Sequence, residues 1–474
     1  MTKKRSYSAA QNTARYGDLK SSSGSADYEL VGTLATLRGK ARWIARNSGT
    51  MKRFMQLMRD NVVGENGFSF QVGNPRVEAA WAEWCKKPTV DGQMSIVEMA
   101  KQMLNCWCRD GEYFFEFVVN KRFPDMISIN PLEADMIDET INTVNPATKN
   151  EIKMGVELDE MGAPVAYHIL TSHPGDSYWA GNYNKPRHRR VPASNIVHVY
   201  DRLRPGQTRG EPPTSACINT IKMLDGYREA ETMNRRISAA MMGFFSRQLP
   251  KAEGIQALAN RTTEGAEGEE EFVVDLEPGT FKQLPDGMEF SKFDPGGSVT
   301  DYAQFEAQLK KELAMAVGIS VFSLGMETSG VSYSTGRSVI MEDRAFYKGM
   351  QGFFIRMAML PIFAKWAQMH TLTPGSSIPP TRMTAMISAA KFRGRGWPWI
   401  DPAADIKSNS EALRSGQTSY TQIAADRGMD VSDLFAEIKA DQELMKQYGL
   451  TFDMTGGKTP VTDGATDDAS QNQP

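Results

Sequence analysis

The feature that most constrains the fold is a long helical pattern whose middle is polar on nearly every side. Pro212 to Ser215 gives a helix start signal, and the pattern continues to about Ser246. Its first half has an apolar stripe, whereas residues 228–236, REAETMNRR, form no wide apolar face. Such a helix either bridges domains through solvent or packs against copies of itself. This pattern is unusual inside a compact monomer.

The region before this helix predicts an arm followed by an α+β domain. Residues 1–28 are polar and rich in Ser and Gly, which indicates a mobile N-terminal arm. Apolar spacing then predicts helices over Leu37–Val63, ending before Gly64, and over Val77–Trp84 and Ser95–Arg109. Alternating β-rich runs predict the strands Tyr113–Val119, Met126–Ile129, Ile152–Val156, Val165–Leu170 and Ile196–Tyr200.

The region after the long helix begins with an acidic β insertion. Seven acids and no bases lie between Thr262 and Phe281, and strands are predicted over Phe272–Leu276 and Met288–Phe293. The acidic run is typical of either a docking surface or a soluble loop.

Further helices follow the insertion. A second long helix starts near Ser298 and ends at Gly318, and a glycine-rich flexible loop follows over residues 319–336. A helix from Arg337 to Met369 should be interrupted by Pro361 and kink near Met357–Leu360. The sequence also predicts a strand within 381–392, short helices within 402–448 and a disordered tail from Thr451.

Composition narrows the class of protein. The 54 basic and 57 acidic residues give a net charge of −3, which does not indicate a strong phosphate clamp. Four cysteines in 474 residues predict reduced core thiols rather than a disulfide framework. The sequence contains no apolar run of 18 residues, so it predicts no membrane-spanning helix. The basic N-terminus lacks the apolar segment of a signal peptide.

Motifs for enzyme chemistry are weak. Gly456–Thr459 resembles the end of a P-loop, but Phe452 stands where that motif needs glycine. The five histidines lack metal-ligand spacing, and His168 and His198 fall within strand patterns as structural residues. The basic cluster 185–190 is compatible with a solvated loop before a strand or with a nucleic-acid contact. We therefore expect no enzyme activity, no cofactor and no metal site.

Four segments in order resemble the lambda-type family of tailed-bacteriophage portal proteins. They are the run 37–47, LRGKARWIARN, with 60–64, DNVVG; the link 198–212, whose core is GQTRG; the segment 332–337, SYSTGR; and 399–402, WIDP, with the helical region 416–437. The clearest departure from the family is the short C-terminus after Leu450.

The resemblance implies an α+β portal fold with a wing, two stem helices, a clip, a tunnel loop, a kinked helix and a helical crown. In this sequence the implied parts are a flexible arm (1–28), the wing (29–213), stem helix 1 (214–246), the clip (247–298), stem helix 2 (299–318), the tunnel loop (319–336), the kinked helix with its return to the wing (337–397), the crown (398–450) and a disordered tail (451–474).

The resemblance also implies where function lies. Tunnel-loop residues that would face DNA are Thr328, Ser329, Val331, Ser332, Tyr333 and Ser334. Channel-facing stem candidates are Arg228, Arg235, Arg236, Lys310 and Lys311. Clip candidates for docking are Glu269, Glu270, Glu271 and Phe272.

The expected function is a ring at the capsid vertex through which double-stranded DNA is packaged and ejected. The implied partners are further copies of the chain in a homododecamer, passing DNA, the terminase large subunit, a head–tail adaptor, and the major capsid and scaffold proteins, without a membrane. The implied location is the virion, after assembly in the host cytoplasm. Two rivals remain: another head–tail connector ring protein, and a DNA-packaging enzyme.

Overall fold

The computed structural model describes residues 23–121, 125–176, 188–239, 243–247, 288–292, 299–325, 332–397 and 402–449. The chain divides into two compact units, residues 1–392 and 393–474. No helix in the described ranges is both long and apolar enough to cross a membrane.

The first unit opens with five helices: α1 Ala26–Leu30, α2 Leu34–Asn47, α3 Gly49–Met58, α4 Pro75–Cys85 and α5 Ile96–Asp110. The predicted single helix 37–63 is wrong, because the backbone at Ser48 is extended and a π-helical turn, Arg59–Val63, precedes Gly64. The arm prediction is also wrong at its end, because α1 begins at Ala26 after Ser25 caps it. The other two helices are confirmed, and Ser95 and Glu98 form a reciprocal capping box on α5.

Two antiparallel sheets follow. Strands β2 Glu112–Val119, β3 Ile127–Leu132 and β9 Ile196–Tyr200 form one sheet in the order β3-β2-β9. The second sheet has the order β4-β5-β6-β7-β8, with β4 Thr143–Val144, β5 Glu151–Lys153, β6 Val156–Leu158, β7 Pro164–Leu170 and β8 His188–Pro192.

The structure corrects two strand predictions. The predicted strand Ile152–Val156 is a hairpin, because Gly155 takes a positive φ of 80° and separates β5 from β6. The basic cluster is not a loop throughout, because His188, Arg189 and Arg190 belong to β8 and pair with β7.

An apolar core lies between the sheets, and an aromatic core fixes the helices. Phe114, Ile169 and Ile137 are among the fully buried side chains of the first core. In the second, Trp81 contacts Phe363 and Trp366 at ring-centroid distances of 5.3 Å. All four cysteines are free, and burial raises the pKa of Cys106 to about 12, which keeps the thiol protonated and unreactive.

Two long helices, α6 Ile218–Ala239 and α7 Val299–Val317, follow the sheets. The prediction that the first helix continues to Ser246 is wrong, because β10 Gly243–Arg247 pairs antiparallel with β11 Met288–Lys292. The predicted strand Phe272–Leu276 and the acidic run lie outside the described residues. The predicted end of α7 is confirmed, since Gly318 has a φ of 74°.

The described rest of the first unit contains α8 Val321–Gly325, α9 Tyr333–Phe354, α10 Leu360–Thr371 and α11 Met383–Ala389, and the unit ends within β12 Lys391–Arg393. The helical interruption expected at Pro361 is present as a π-helical turn, Ile355–Met359. The strand expected within 381–392 is confined to β12, which pairs with β1 Ser69–Gln71.

The second unit contains α12 Pro402–Arg414, α13 Tyr420–Asp426 and α14 Val431–Gln447. Gly416 and Gly428 interrupt these helices with positive φ angles of 71° and 76°, as expected. A Cβ on Gly396 would lie 2.1 Å from the carbonyl carbon of Arg427, so these two segments pack backbone to backbone.

Candidate functional site

The link Gly206–Gly210, GQTRG, is the junction between the sheets and α6. Gln207 is buried and turns the chain, because its side-chain oxygen accepts from the backbone of Leu203 and its nitrogen donates to the Arg209 carbonyl. The backbone N–H of Thr208 donates to Asp27 at 2.8 Å. The N-terminal helix α1 is therefore fastened to the same link.

Arg209 forms the centre of the junction and is fully buried. Its guanidinium donates to Glu112 at 2.6 Å and to the carbonyls of Ala134 and Met154 at 3.0 and 2.7 Å. The other Glu112 oxygen accepts from the Gly210 N–H at 2.9 Å and contacts His198 at 3.0 Å. One buried ion pair thus joins both sheets to the start of α6.

The charges of this pair are mutually stabilised. Burial alone would raise the pKa of Glu112, but Arg209 and His198 outweigh burial and hold that pKa well below its ordinary value. Burial lowers the pKa of His198, and Glu112 opposes the shift only in part. Arg38 of α2 lies 3.6 Å from Glu112 and extends the network to Asp135 and Glu139.

Two glycines let the backbones meet at the junction. A Cβ on Gly210 would lie 2.3 Å from the carbonyl oxygen of Gly111, and a Cβ on Gly111 would lie 2.2 Å from the carbonyl carbon of Glu211. Any larger side chain would displace backbone. The junction therefore requires glycine at both positions.

Helices α6 and α7 pack antiparallel through an aromatic and ionic seam. Tyr227 stacks on Tyr302 at 5.5 Å, and Arg228 donates to Glu306 at 2.5 Å. Burial would raise the pKa of Glu306, but Arg228 and Lys310 outweigh it and lower that pKa. The polar stretch of α6 is thus partly satisfied by its own neighbour in the chain.

The predicted stem cations divide into two groups. Arg228 and Lys310 bind Glu306, and Arg235 binds Glu231 within α6. Arg236 and Lys311 are exposed. The positive charge available on the described part of the helix pair is smaller than the sequence suggested.

The segment after α7 is more ordered than its glycines predict. Asp343 of α9 is buried and accepts from the Ser320 N–H at 2.8 Å and from the hydroxyls of Ser320 and Ser323 at 2.5 Å. These bonds fasten the start of α8. The prediction of a flexible loop over all of 319–336 is therefore wrong at both ends.

The predicted tunnel-loop residues are only partly described. Ser332 caps α9 by accepting from the Thr335 N–H, and Tyr333 and Ser334 form the first turn of the helix. The predicted helix start at Arg337 is wrong, because α9 begins four residues earlier, at Tyr333, after the Ser332 cap. Thr328, Ser329 and Val331 lie outside the described residues, as do Glu269, Glu270, Glu271 and Phe272.

Two arginines of the basic cluster, Arg189 and Arg190, have intramolecular partners, and both lie in the described strand β8. Arg189 forms a bidentate contact with Glu116, and Arg190 binds Glu157 at 2.7 Å. The hydrogen bond from Arg190 is the main cause of the lowering of the pKa of Glu157 to about 2. Both arginines stabilise the sheets, which reduces the case for a nucleic-acid contact there.

His370 lies between Asp125 and Ser377 in an arrangement that the sequence did not indicate. Its Nδ1 is 2.6 Å from Asp125, and its Nε2 is 2.9 Å from the Ser377 hydroxyl. The Ser377 backbone N–H also donates to Nε2 at 3.2 Å. Because Nε2 also accepts the backbone N–H of Ser377, His370 holds this loop in place and does not activate the Ser377 hydroxyl as a nucleophile.

Glu133, Asp135 and His173 approach one another closely enough to hold a metal ion. Arg109 already binds Glu133 at 3.2 Å, and Arg42 binds Asp135. These guanidinium groups neutralise the carboxylates that a cation would need. We therefore assign the cluster to the ionic network around α2 and α5.

Comparison with known proteins decides the family. The sequence matches the family described as phage portal protein, lambda family, over residues 12–351, which is most of the chain. The chain belongs to the lambda family of phage portal proteins.

The chain is also similar to individual portal proteins and to one solved neck structure. The chain is 28% identical over 448 residues to a probable portal protein of Halomonas phage phiHAP-1, covering 91% of this chain and 84% of that protein. It is 21% identical over 463 residues to portal protein B of Escherichia phage lambda, covering 88% and 85%. A solved gene transfer agent neck has a TM-score of 0.46 and 13% identity, covering 84% of this chain and 94% of that one.

Two residues central to this portal protein were missed from sequence. Glu112 and Asp343 lie far along the chain from their partners. The signal for Glu112 was present, since the strand EYFFEFVV is apolar except for Glu112 and Glu116, and a carboxylate buried in such a strand must find a partner. Asp343 lies among both polar and apolar residues of a helix, so its sequence context did not indicate that it is buried.

Proposed function

We propose that twelve copies of this portal protein form a ring at the capsid vertex, through which double-stranded DNA is packaged and ejected. The observation that carries this proposal is the helix pair α6–α7. Its ionic seam is satisfied within the chain, yet Met223, Met233 and Met315 remain exposed, Met315 by 71%. Neighbouring copies would cover such side chains in a closed ring.

In this proposal α6 and α7 are the stem, residues 29–213 the wing and residues 398–450 the crown. The intramolecular partners of Arg228, Arg235 and Lys310 leave less free positive charge on the stem than its sequence contains. A wall of this kind allows a duplex to slide, since tight phosphate binding would oppose movement. The role is structural rather than catalytic.

The ring is tested by light scattering and negative-stain electron microscopy of the purified full chain. The expected result is a species several times the monomer mass with a central hole. A compact monomer that persists at micromolar concentration under all conditions would contradict the proposal.

The tunnel loop is tested by deleting Thr328–Val331, which spares the Ser332 cap of α9. Rings should still form, while DNA packaging or retention falls. Ser332→Ala, which removes the cap alone, is the control for damage to α9. Loss of the ring in the deletion variant would mean that this segment is structural.

The acidic insertion is proposed as the clip, where the terminase large subunit and later a head–tail adaptor dock. Replacing Glu269, Glu270 and Glu271 with Gln should slow association with either partner and weaken its salt dependence. Gln at the exposed Glu411, Glu437 and Glu443 is the matched control. Unchanged association rates in the first variant would contradict the proposal that the acidic insertion is a docking surface.

The remaining partners of the proposal are the major capsid and scaffold proteins, which would surround the ring at the vertex of the virion. Assembly would take place in the bacterial cytoplasm. Copurification of the ring with immature capsids from infected cells tests this placement, and recovery of the chain only outside particles would contradict it.

A further inference from the structure

Helices α2 and α3 carry an unusual charge distribution. Residues 34–59 contain seven basic residues and no acid. Arg38 and Arg42 point into the protein, where they bind Glu139 at 2.7 Å and Asp110 at 2.7 Å. This inward half belongs to the network that supports the junction. The outward half includes the exposed bases Lys40 and Arg46, to which the proposed function gives no role.

The outward half is a face of α2 formed by Lys40, Trp43 and Arg46, here called the α2 face. All three side chains are exposed, and Trp43 is 51% exposed, which is unusual for so large an apolar group. On a helix, Lys40 and Arg46 lie three residues either side of Trp43 and therefore flank the indole on one surface. Asn47 donates to the Trp43 carbonyl at 2.9 Å and closes this end of the helix.

Small residues keep the α2 face open. Gly39 and Thr36 lie on the turns before Trp43, and a Cβ on Gly39 would meet no atom within 4 Å. The face is a shallow surface with two cations and one aromatic N–H donor, and neither α2 nor α3 holds an acid to compete for them.

We propose that the α2 face binds the phosphate backbone of double-stranded DNA without sequence preference, outside the channel. The cations are about 9 Å apart along the helix axis, which is enough to reach more than one phosphate of a strand. Duplex DNA is the polyanion that the packaging role brings to every subunit. One face binds weakly, but copies held in one assembly add their contacts through avidity.

Closed circular duplex DNA is the decisive probe, because it has no end that could enter a channel. Binding of the purified full chain to it is measured between about 50 and 200 mM salt. The double variant Lys40→Gln, Arg46→Gln should weaken binding severalfold. It should also reduce the slope of log affinity against log salt by about 2 per subunit engaged.

The matched control is Lys407→Gln, Arg414→Gln, two exposed bases of α12 in the other unit. This variant should bind closed circles as the unchanged protein does. Trp43→Phe should weaken binding slightly and leave the salt slope unchanged, since it removes one neutral donor.

The proposal is overturned if the α2 variant keeps its affinity and slope, or if the control loses as much. It is also overturned if the α2 variant binds DNA normally but assembles into smaller species, because the face would then contact another copy. Since all three side chains are exposed, thermal unfolding should be unchanged, and this is measured on the same samples. Ring formation is scored separately, so failure here leaves the proposed portal role intact.

Discussion

The junction at Arg209 and the seam between α6 and α7 use the same chemistry in different surroundings. Each joins an arginine to a glutamate beside aromatic rings. Arg209 and Glu112 are fully buried, whereas Arg228 is exposed by 38% and Glu306 by 17%. A buried pair must be complete within the chain, whereas a half-exposed pair tolerates solvent or a new neighbour.

This difference indicates a division of labour within the portal subunit. The sheets and the junction hold their own charges, core and backbone contacts. The helix pair has a seam but leaves large apolar side chains exposed. We infer that the junction sets the direction of α6 and that assembly completes the surface of α6 and α7.

Removing one charge should separate the two regions most strongly. Arg209→Met leaves Glu112 buried without its partner and should lower the free energy of unfolding by about 3–5 kcal/mol. Arg228→Met should cost less than about 1 kcal/mol because water replaces the lost contact. Denaturant unfolding measures both. The double variant Arg209→Met, Glu112→Gln should recover part of the loss, and equal costs at Arg209 and Arg228 would contradict the comparison.

Adding one methyl group should lower the stability of the junction and raise the stability of the helix pair. Gly210→Ala meets the Gly111 backbone and should destabilise the protein by about 1–3 kcal/mol. Gly226→Ala on α6 meets nothing within 4 Å and should stabilise it by about 0.5–1 kcal/mol, because alanine favours helix. Thermal unfolding of both variants checks the signs. Destabilisation at Gly226 would mean that its helix face is covered.

Acid should weaken the junction before the seam. His198 has a pKa below the ordinary 6.5, so the unfolded chain binds its proton more readily and stability falls as pH drops below about 6.5. The pKa of Glu112 is also lowered, so its contribution is lost only when pH falls below the ordinary value of 4.5. His198→Gln should flatten the pH dependence of unfolding between pH 7 and 5. His188→Gln, at an exposed position of β8, should leave most of this pH dependence unchanged.

Local signals in the sequence predicted much of the fold. Gly64, Gly318 and Gly428 end helical segments as expected, and the Ser95 cap and the Pro361 interruption lie where their chemistry requires. The failures came from long-range contacts. Residues 243–247 look helical in isolation, but β11, more than forty residues later, pairs with them as a strand. Likewise, Asp343 orders Ser320 and Ser323 from a distant helix.

The side-chain partners in the candidate site could not be predicted from the sequence. The two long helices were placed by their periodicity and start signals. Arg228 and Lys310 both bind Glu306, and this pairing depends on the register between α6 and α7, which is set by packing that local patterns do not contain. The motif GQTRG was noticed as a link, and its buried ion pair with Glu112 became evident only from the folded sheets.

Hydrogen exchange before and after assembly tests the central claim most directly, since it reads the stability of each region separately. The account predicts that β2, β9 and the junction are equally protected in dissociated subunits and in the ring. It predicts that α6 and α7 exchange faster in dissociated subunits and become protected on assembly. Equal protection of α6 and α7 in both states would contradict the claim that neighbouring copies complete the helix pair.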